Sequence, residues 1–149
     1  MKFSAIVALA ASASAATLQK KQSLETGIGT FYADCIPHST YCSYNFTVIS
    51  DTGLPPTHCG AFLQGPDQLP DVEDGSCPDN FAYTWSATTT TEGGLDFAIW
   101  YPFNSRSNIT YCHSIPASQI VTENNGAVST QHYRGPANFT ASVLDCNSA

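Results

Sequence analysis

Positive charge is scarce in this chain: five lysines and arginines stand against twelve aspartates and glutamates, for a formal net charge of −7. A surface of that sign repels phosphate backbones and anionic membranes, which argues against nucleic acid as a partner. Long hydrophobic runs are missing too. The apolar stretch from Ile6 to Ala11 is too short to span a bilayer, so no stable membrane insertion is expected. No long segment carries the 3.6-residue apolar period of an amphipathic helix. CxxC, HxH, HExxH and GxSxG are all absent. A thiolate zinc site, a zinc-protease helix and a hydrolase nucleophile elbow therefore have nothing to rest on, and neither metal nor cofactor is expected.

The N-terminus has the layout of a secretory signal peptide. Lys2 gives a basic start, an apolar run follows, and Ala13-Ser14-Ala15 offers small residues for cleavage after Ala15. The expected organisation is a signal peptide over 1–15, a flexible arm over 16–25 and a single β domain over 26–149. Lys20-Lys21 is either a processing site, making the arm a pro-segment to residue 21, or part of a solvated arm. Past residue 15, four basic residues remain against all twelve acidic ones. The expected location is extracellular. Six cysteines, Cys35, Cys42, Cys59, Cys77, Cys112 and Cys146, then read as disulfides, with the connectivity left open. Three N-glycosylation sequons, at Asn45, Asn108 and Asn138, fit the same compartment.

Period-two alternation dominates the rest. Tyr44, Phe46 and Val48 alternate with polar residues, as do Phe81, Tyr83 and Trp85. Leu95, Phe97, Ile99 and Tyr101 alternate with Asp96, Ala98 and Trp100, and Pro102 is expected to end the run; Phe139, Ala141 and Val143 alternate with Thr140 and Ser142. Asn45 and Asn138 fall on the polar parity of their strands, as a glycan requires. Asp51-Thr52-Gly53, Gly93-Gly94 and Gly135-Pro136 punctuate the strands, and Asn125-Gly126 is a two-residue hairpin signal. The expected fold is all-β: a compact antiparallel barrel or sandwich of about eight to ten strands, stapled by disulfides. The stretch from Gln64 to Asn80, rich in Pro, Gly, Asp and Glu, reads as a long acidic loop bracketed by Cys59 and Cys77.

Catalytic constellations are thin. Asp71, Glu73 and Asp74 are hard oxygen donors without EF-hand spacing. Glu92 and Asp96 lie near aromatic strands as a candidate glycosidase pair. His132-Tyr133-Arg134, with Arg106, the Glu123-Asn124-Asn125 fragment and the closing Asp145-Cys146, carries residue types used by ribonucleases, but no acid–base pair stands at a recognisable spacing among Glu92, Asp96, His113 and His132. No catalytic residue is assigned and no enzyme activity is expected. The run Trp100-Tyr101-Pro102-Phe103 offers aromatics for a partner surface, and Trp100, Phe103 and Tyr133 are its candidates.

From Phe31-Tyr32 through Tyr41, Tyr44-Asn45-Phe46-Thr47-Val48, Cys59, the acidic loop, Cys77, Phe81 to Trp85 and Asn108-Ile109-Thr110-Tyr111, the chain resembles the Alternaria major-allergen-like family of small secreted fungal proteins. It also resembles fungal hypersensitive-response-inducing elicitors. The resemblance implies a compact antiparallel β-barrel, secretion by a fungus, a role in contact with a plant host and no established catalytic residues. Cys59 and Cys77 match the family's central disulfide, whereas Cys35 and Cys42 have no obvious counterparts. With that pair set, Cys35–Cys42 closes a short loop before a strand and Cys112–Cys146 ties down the tail. The expected function is that of an effector or elicitor in the plant apoplast. It would bind a host protein or small apoplastic ligand and trigger defence or cell death. A secreted hydrolase, glycosidase or ribonuclease-like, and a cell-wall structural protein are the alternatives.

Overall fold

The computed structural model describes residues 24–50 and 53–147. The expected signal peptide, Lys20-Lys21 and the Asp51-Thr52 half of one expected turn lie outside the described residues. Ten strands follow in order: β1 (Glu25–Cys35), β2 (Tyr41–Ile49), β3 (Thr57–Gln64), β4 (Val72–Ser76), β5 (Thr84–Thr89), β6 (Leu95–Asn104), β7 (Ser107–Ile115), β8 (Ile120–Asn125), β9 (Val128–Tyr133) and β10 (Phe139–Ser142). Short 3-10 turns occupy Ala117–Gln119 and Leu144–Asn147. Among the described residues no helix is long and apolar enough to cross a membrane. β1 begins at Glu25, which pairs with Ser142, so the end of the stretch assigned to the arm is already part of the sheet.

All pairings are antiparallel. β1 through β7 follow one another, β10 joins β7, and β10 closes on β1, making an eight-stranded barrel. The β8–β9 hairpin is an addition carried on the far half of β1. An eight-stranded barrel has an interior just wide enough to be filled by side chains. Here the filling is aromatic. Phe46 lies edge-on to Trp85 at 5.0 Å and to Phe97 at 5.2 Å, and Phe31 lies edge-on to Phe97 at 5.8 Å. Trp85 is fully buried and donates its Nε1–H to the Ser76 carbonyl at 3.2 Å. Its indole lies over Gly75, where a Cβ would overlap the ring.

β1 serves two neighbours because it breaks at Thr30. That residue takes φ +48°, and the register to β2 slips between Gly29 and Tyr32. The Thr30 amide donates to Asn138 Oδ1 at 3.1 Å and the Phe31 amide to the Ala137 carbonyl at 2.7 Å. Residues 25–28 of β1 pair with β10, and Asp34 beyond the bulge pairs with His132 of β9. A bulge of this kind bends and twists its strand, which lets one edge meet two partners.

The disulfides join Cys35 to Cys42, Cys59 to Cys77 and Cys112 to Cys146, as expected from the sequence. Four expectations need correction. The acidic stretch is not all loop: it contains β4, with Leu69 and Val72 buried. Pro102 does not end β6, which continues to Asn104. Past Trp100, which faces Thr84, β6 has no β5 residue beside it, so a missing N–H on that side costs no ladder bond. Phe81 is 78% exposed and precedes β5, in a turn where the Ala82 amide donates to Asn80 Oδ1. In the β8–β9 hairpin Asn125 already pairs with Val128, so the loop is Gly126-Ala127, with Gly126 at φ +78°. The register is one residue later than the Asn-Gly signal implies.

Candidate functional site

Three groups of side chains bear on function. The first lies on the β8–β9 hairpin. His132 faces Val121 across the hairpin and Asp34 across the β1 seam, while Thr130 faces Glu123. The two-residue period puts Thr130, His132 and Arg134 on one face. His132 Nδ1 is 2.5 Å from Asp34 Oδ1, and its Nε2 is 2.7 Å from Thr130 Oγ1 and 3.7 Å from Glu123 Oε2. Arg134 grips Glu123 with two bonds, Nε to Oε1 at 2.7 Å and Nη2 to Oε2 at 3.1 Å. Its Nη1 donates to Asp34 Oδ1 at 2.9 Å. The hydrogen bonds to Arg134 hold the Glu123 carboxyl below its ordinary range and raise the guanidinium above its own.

Thr130, His132 and Asp34 form a hydroxyl–imidazole–carboxylate line, and Glu123, His132 and Arg134 are the residue types of the ribonuclease reading. The surroundings do not suit that chemistry. Thr130 is 0% exposed, so its hydroxyl has no path to a scissile bond. The guanidinium is engaged by two carboxylates and has little left to offer a phosphate. Arg106 sits at the turn between β6 and β7, where its amide donates to Asn104 Oδ1. The cluster ties the hairpin to β1. Glu123, His132 and Arg134 meet because of the hairpin register, but nothing in the sequence pointed to Asp34, which arrives from another strand.

The second group lines a shallow depression of about 290 Å³ on the outside of β5, β6 and β7, with Asp96, His113, Ser114 and Asp145 among its walls. Glu92, the other half of the candidate glycosidase pair, is exposed in the β5–β6 turn and is not part of it. Asp71, the first of the acidic-loop donors, accepts the Thr89 amide at 2.7 Å, and among the described residues no group of three or more His, Cys, Asp or Glu side chains is placed to hold a metal ion. His113 is half-buried and stacks on Phe139 at 4.2 Å. Burial lowers its pKa from the ordinary 6.5, against weaker opposite pulls from the Thr140 backbone and Asp145. The folded protein thus binds this proton at lower pH than the unfolded chain does. The stability contributed is complete above about pH 6.5 and is lost as the pH falls from there toward the folded value. The urea midpoint should therefore drop between about pH 7 and about pH 5, and drop less in His113→Phe. An equal drop in both proteins would show that another group titrates. Glu123, whose carboxyl is held below its ordinary 4.5, keeps its contribution above that value and loses it only as the pH falls further, outside this window.

The third group is aromatic. Of the three candidate surface residues, Tyr133 is buried: its ring meets Phe31 edge-on at 4.9 Å and its hydroxyl donates to the Pro136 carbonyl at 2.7 Å. It belongs to the core, because its strand parity faces inward. Trp100 is half-buried on the outer face of β6 between Thr84 and Thr110. Phe103 is 57% exposed near the end of the β6–β7 hairpin, beyond the last β5 pairing. Tyr101, on the opposite face from Trp100, is 38% exposed and packs on Tyr83 at 4.6 Å. Sequence reasoning missed a second exposed aromatic set on the outer face of β1, β2 and β3. Tyr41 and Phe62 stack at 4.8 Å, and Tyr32 pairs with Asn45. One signal was present, since adjacent Phe31 and Tyr32 in a strand cannot both face the core.

Asn45, Asn108 and Asn138 all avoid the interior: Asn45 is half-buried on the outer face of β2, and the other two are exposed. Set against known proteins, the chain matches no family model, no curated protein and no solved structure.

Proposed function

We propose that this chain is a secreted fungal effector or elicitor that acts in the plant apoplast by binding a host component through the β6–β7 hairpin. The carrying observation is that this hairpin extends beyond β5 with Tyr101 and Phe103 exposed at its end. Aromatic residues held on a rigid scaffold supply large contact area at little entropic cost. The charged cluster does not favour the hydrolase alternative, because its hydroxyl is buried and its cation is already paired. A cell-wall structural role has no specific observation behind it.

Leaf infiltration tests the proposal with two folded variants. Tyr101→Ala/Phe103→Ala should lose necrosis and defence-gene induction. Glu92→Gln/Asp96→Asn/His113→Ala should keep both. If the acid–base variant loses activity while the aromatic variant retains it, the hydrolase reading replaces this one.

A further inference from the structure

The outer face of β1, β2 and β3 leaves rings uncovered that a secreted acidic protein has no evident reason to expose. Phe62 is 61% exposed, and Tyr32 and Tyr41 are each 41% exposed. Between them stands Asn45, the acceptor of the Asn45-Phe46-Thr47 sequon. The register is explicit. Asn45 lies opposite Tyr32 on β1 and opposite Gly60 on β3, and Phe62 is two residues along β3 from that glycine. Directly opposite side chains in an antiparallel pair sit about 5 Å apart at Cβ, and diagonal ones about 7–8 Å. Tyr32 is thus the immediate neighbour of the Asn45 amide on one side and Phe62 the diagonal neighbour on the other. Tyr41 extends the surface by stacking on Phe62.

Gly60 keeps this place open. A Cβ there would lie 2.8 Å from Asn45 Oδ1 and 2.8 Å from the Tyr44 carbonyl. The Asn45 Nδ2 donates to Ser43 Oγ at 2.9 Å, which orients the amide along the outer face. The result is an asparagine with no side chain on one flank, an aromatic ring on the other, and a stacked aromatic pair beyond.

We infer that an N-glycan on Asn45 folds back onto this face, with its first N-acetylglucosamine against Tyr32 and Phe62 and the following sugar toward Tyr41. A pyranose ring has an apolar C–H face suited to an aromatic surface, and its hydroxyls remain in water. The occupant is named by covalent attachment: a sugar joined to Asn45 is always present at the centre of the patch, so any other molecule must displace it. The glycan covers aromatic area that would otherwise favour self-association.

The test uses wild-type protein secreted from a eukaryotic host. Peptide mass mapping establishes whether Asn45 is modified. Hydroxyl-radical footprinting then compares the intact glycoprotein with protein trimmed to a single N-acetylglucosamine and with fully deglycosylated protein. Labelling of Tyr32 and Phe62 should stay low after trimming and rise about twofold on complete removal, in proportion to the ring area uncovered. The buried Tyr133 should not change. Asn108→Gln, which removes a sequon on the exposed hairpin, should leave Tyr32 and Phe62 labelling as in wild type. An unmodified Asn45 overturns the inference, leaving the rings free for an external ligand. So does a modified Asn45 whose removal leaves Tyr32 and Phe62 labelling unchanged.

Discussion

Removing both the Cys59–Cys77 and Cys112–Cys146 disulfides is expected to leave the chain unfolded at ambient temperature. Each sits where the barrel ladder is thinnest. β3 and β4 share a single paired position, Gly60 with Ser76, and β7 and β10 share only Ser142 with Cys112. Cys59 and Cys77 stand next to the first of these pairs, and Cys112 is a member of the second. The loops closed span 18 and 34 residues. In the chain-entropy description these correspond to about 3 and about 4 kcal/mol, a large share of the usual stability margin of about 5–15 kcal/mol. Cys35–Cys42 closes only 7 residues within a hairpin already laddered along most of its length. Its removal should cost less than either of the others. Urea unfolding of the three Cys→Ala pair variants and of the double-pair variant checks the order. A Cys35→Ala/Cys42→Ala protein weaker than the other two would show that seam position does not govern the effect.

Trp85→Ala is the second large effect, expected to cost about 3–5 kcal/mol. The indole fills the barrel between Phe46 and Tyr44 and overlies Gly75, and its loss also strips the Ser76 carbonyl of its donor. Collapse cannot readily fill the cavity, because the rings around it are themselves held by neighbouring rings. The chain has two tryptophans, and the other provides the control. Trp100 is half-buried on the outside, so Trp100→Ala should shift the midpoint much less. Equal shifts would contradict the placement of Trp85 at the centre of the core.

Alternation made much of this barrel legible. The inward rows Tyr44-Phe46-Val48 and Leu95-Phe97-Ile99 are buried, and the residues between them lie on the outer face. Where the signal failed, backbone or tertiary context decided. β4 reads Val-Glu-Asp-Gly-Ser, and what makes it a strand is its ladder to β5 and the indole resting on its glycine. Tyr133 looked like part of a polar-aromatic run because the inward turn of its parity depends on β9 docking beside the bulged β1, and a bulge carries no composition of its own. The charged cluster was half visible. The hairpin register brings Glu123 to His132 and Arg134, whereas Asp34 joins them across 98 residues of chain.

The break at Thr30 separates the molecule into two levels of cooperativity. The ring of eight strands is complete without β8 and β9, since β10 closes it on the near half of β1. The hairpin is held by one ladder position on β1, by the Asp34 contacts, by the Gln131 amide on the Asp67 carbonyl and by the Tyr133 ring on Phe31. It can therefore detach as a unit in an opening smaller than global unfolding. Such an opening would bare the far edge of β1 and one side of the Phe31 ring while the rest of the ladder stayed closed. The amides of β8 and β9 would then report a local free energy, and those of β2 and β6 the global one.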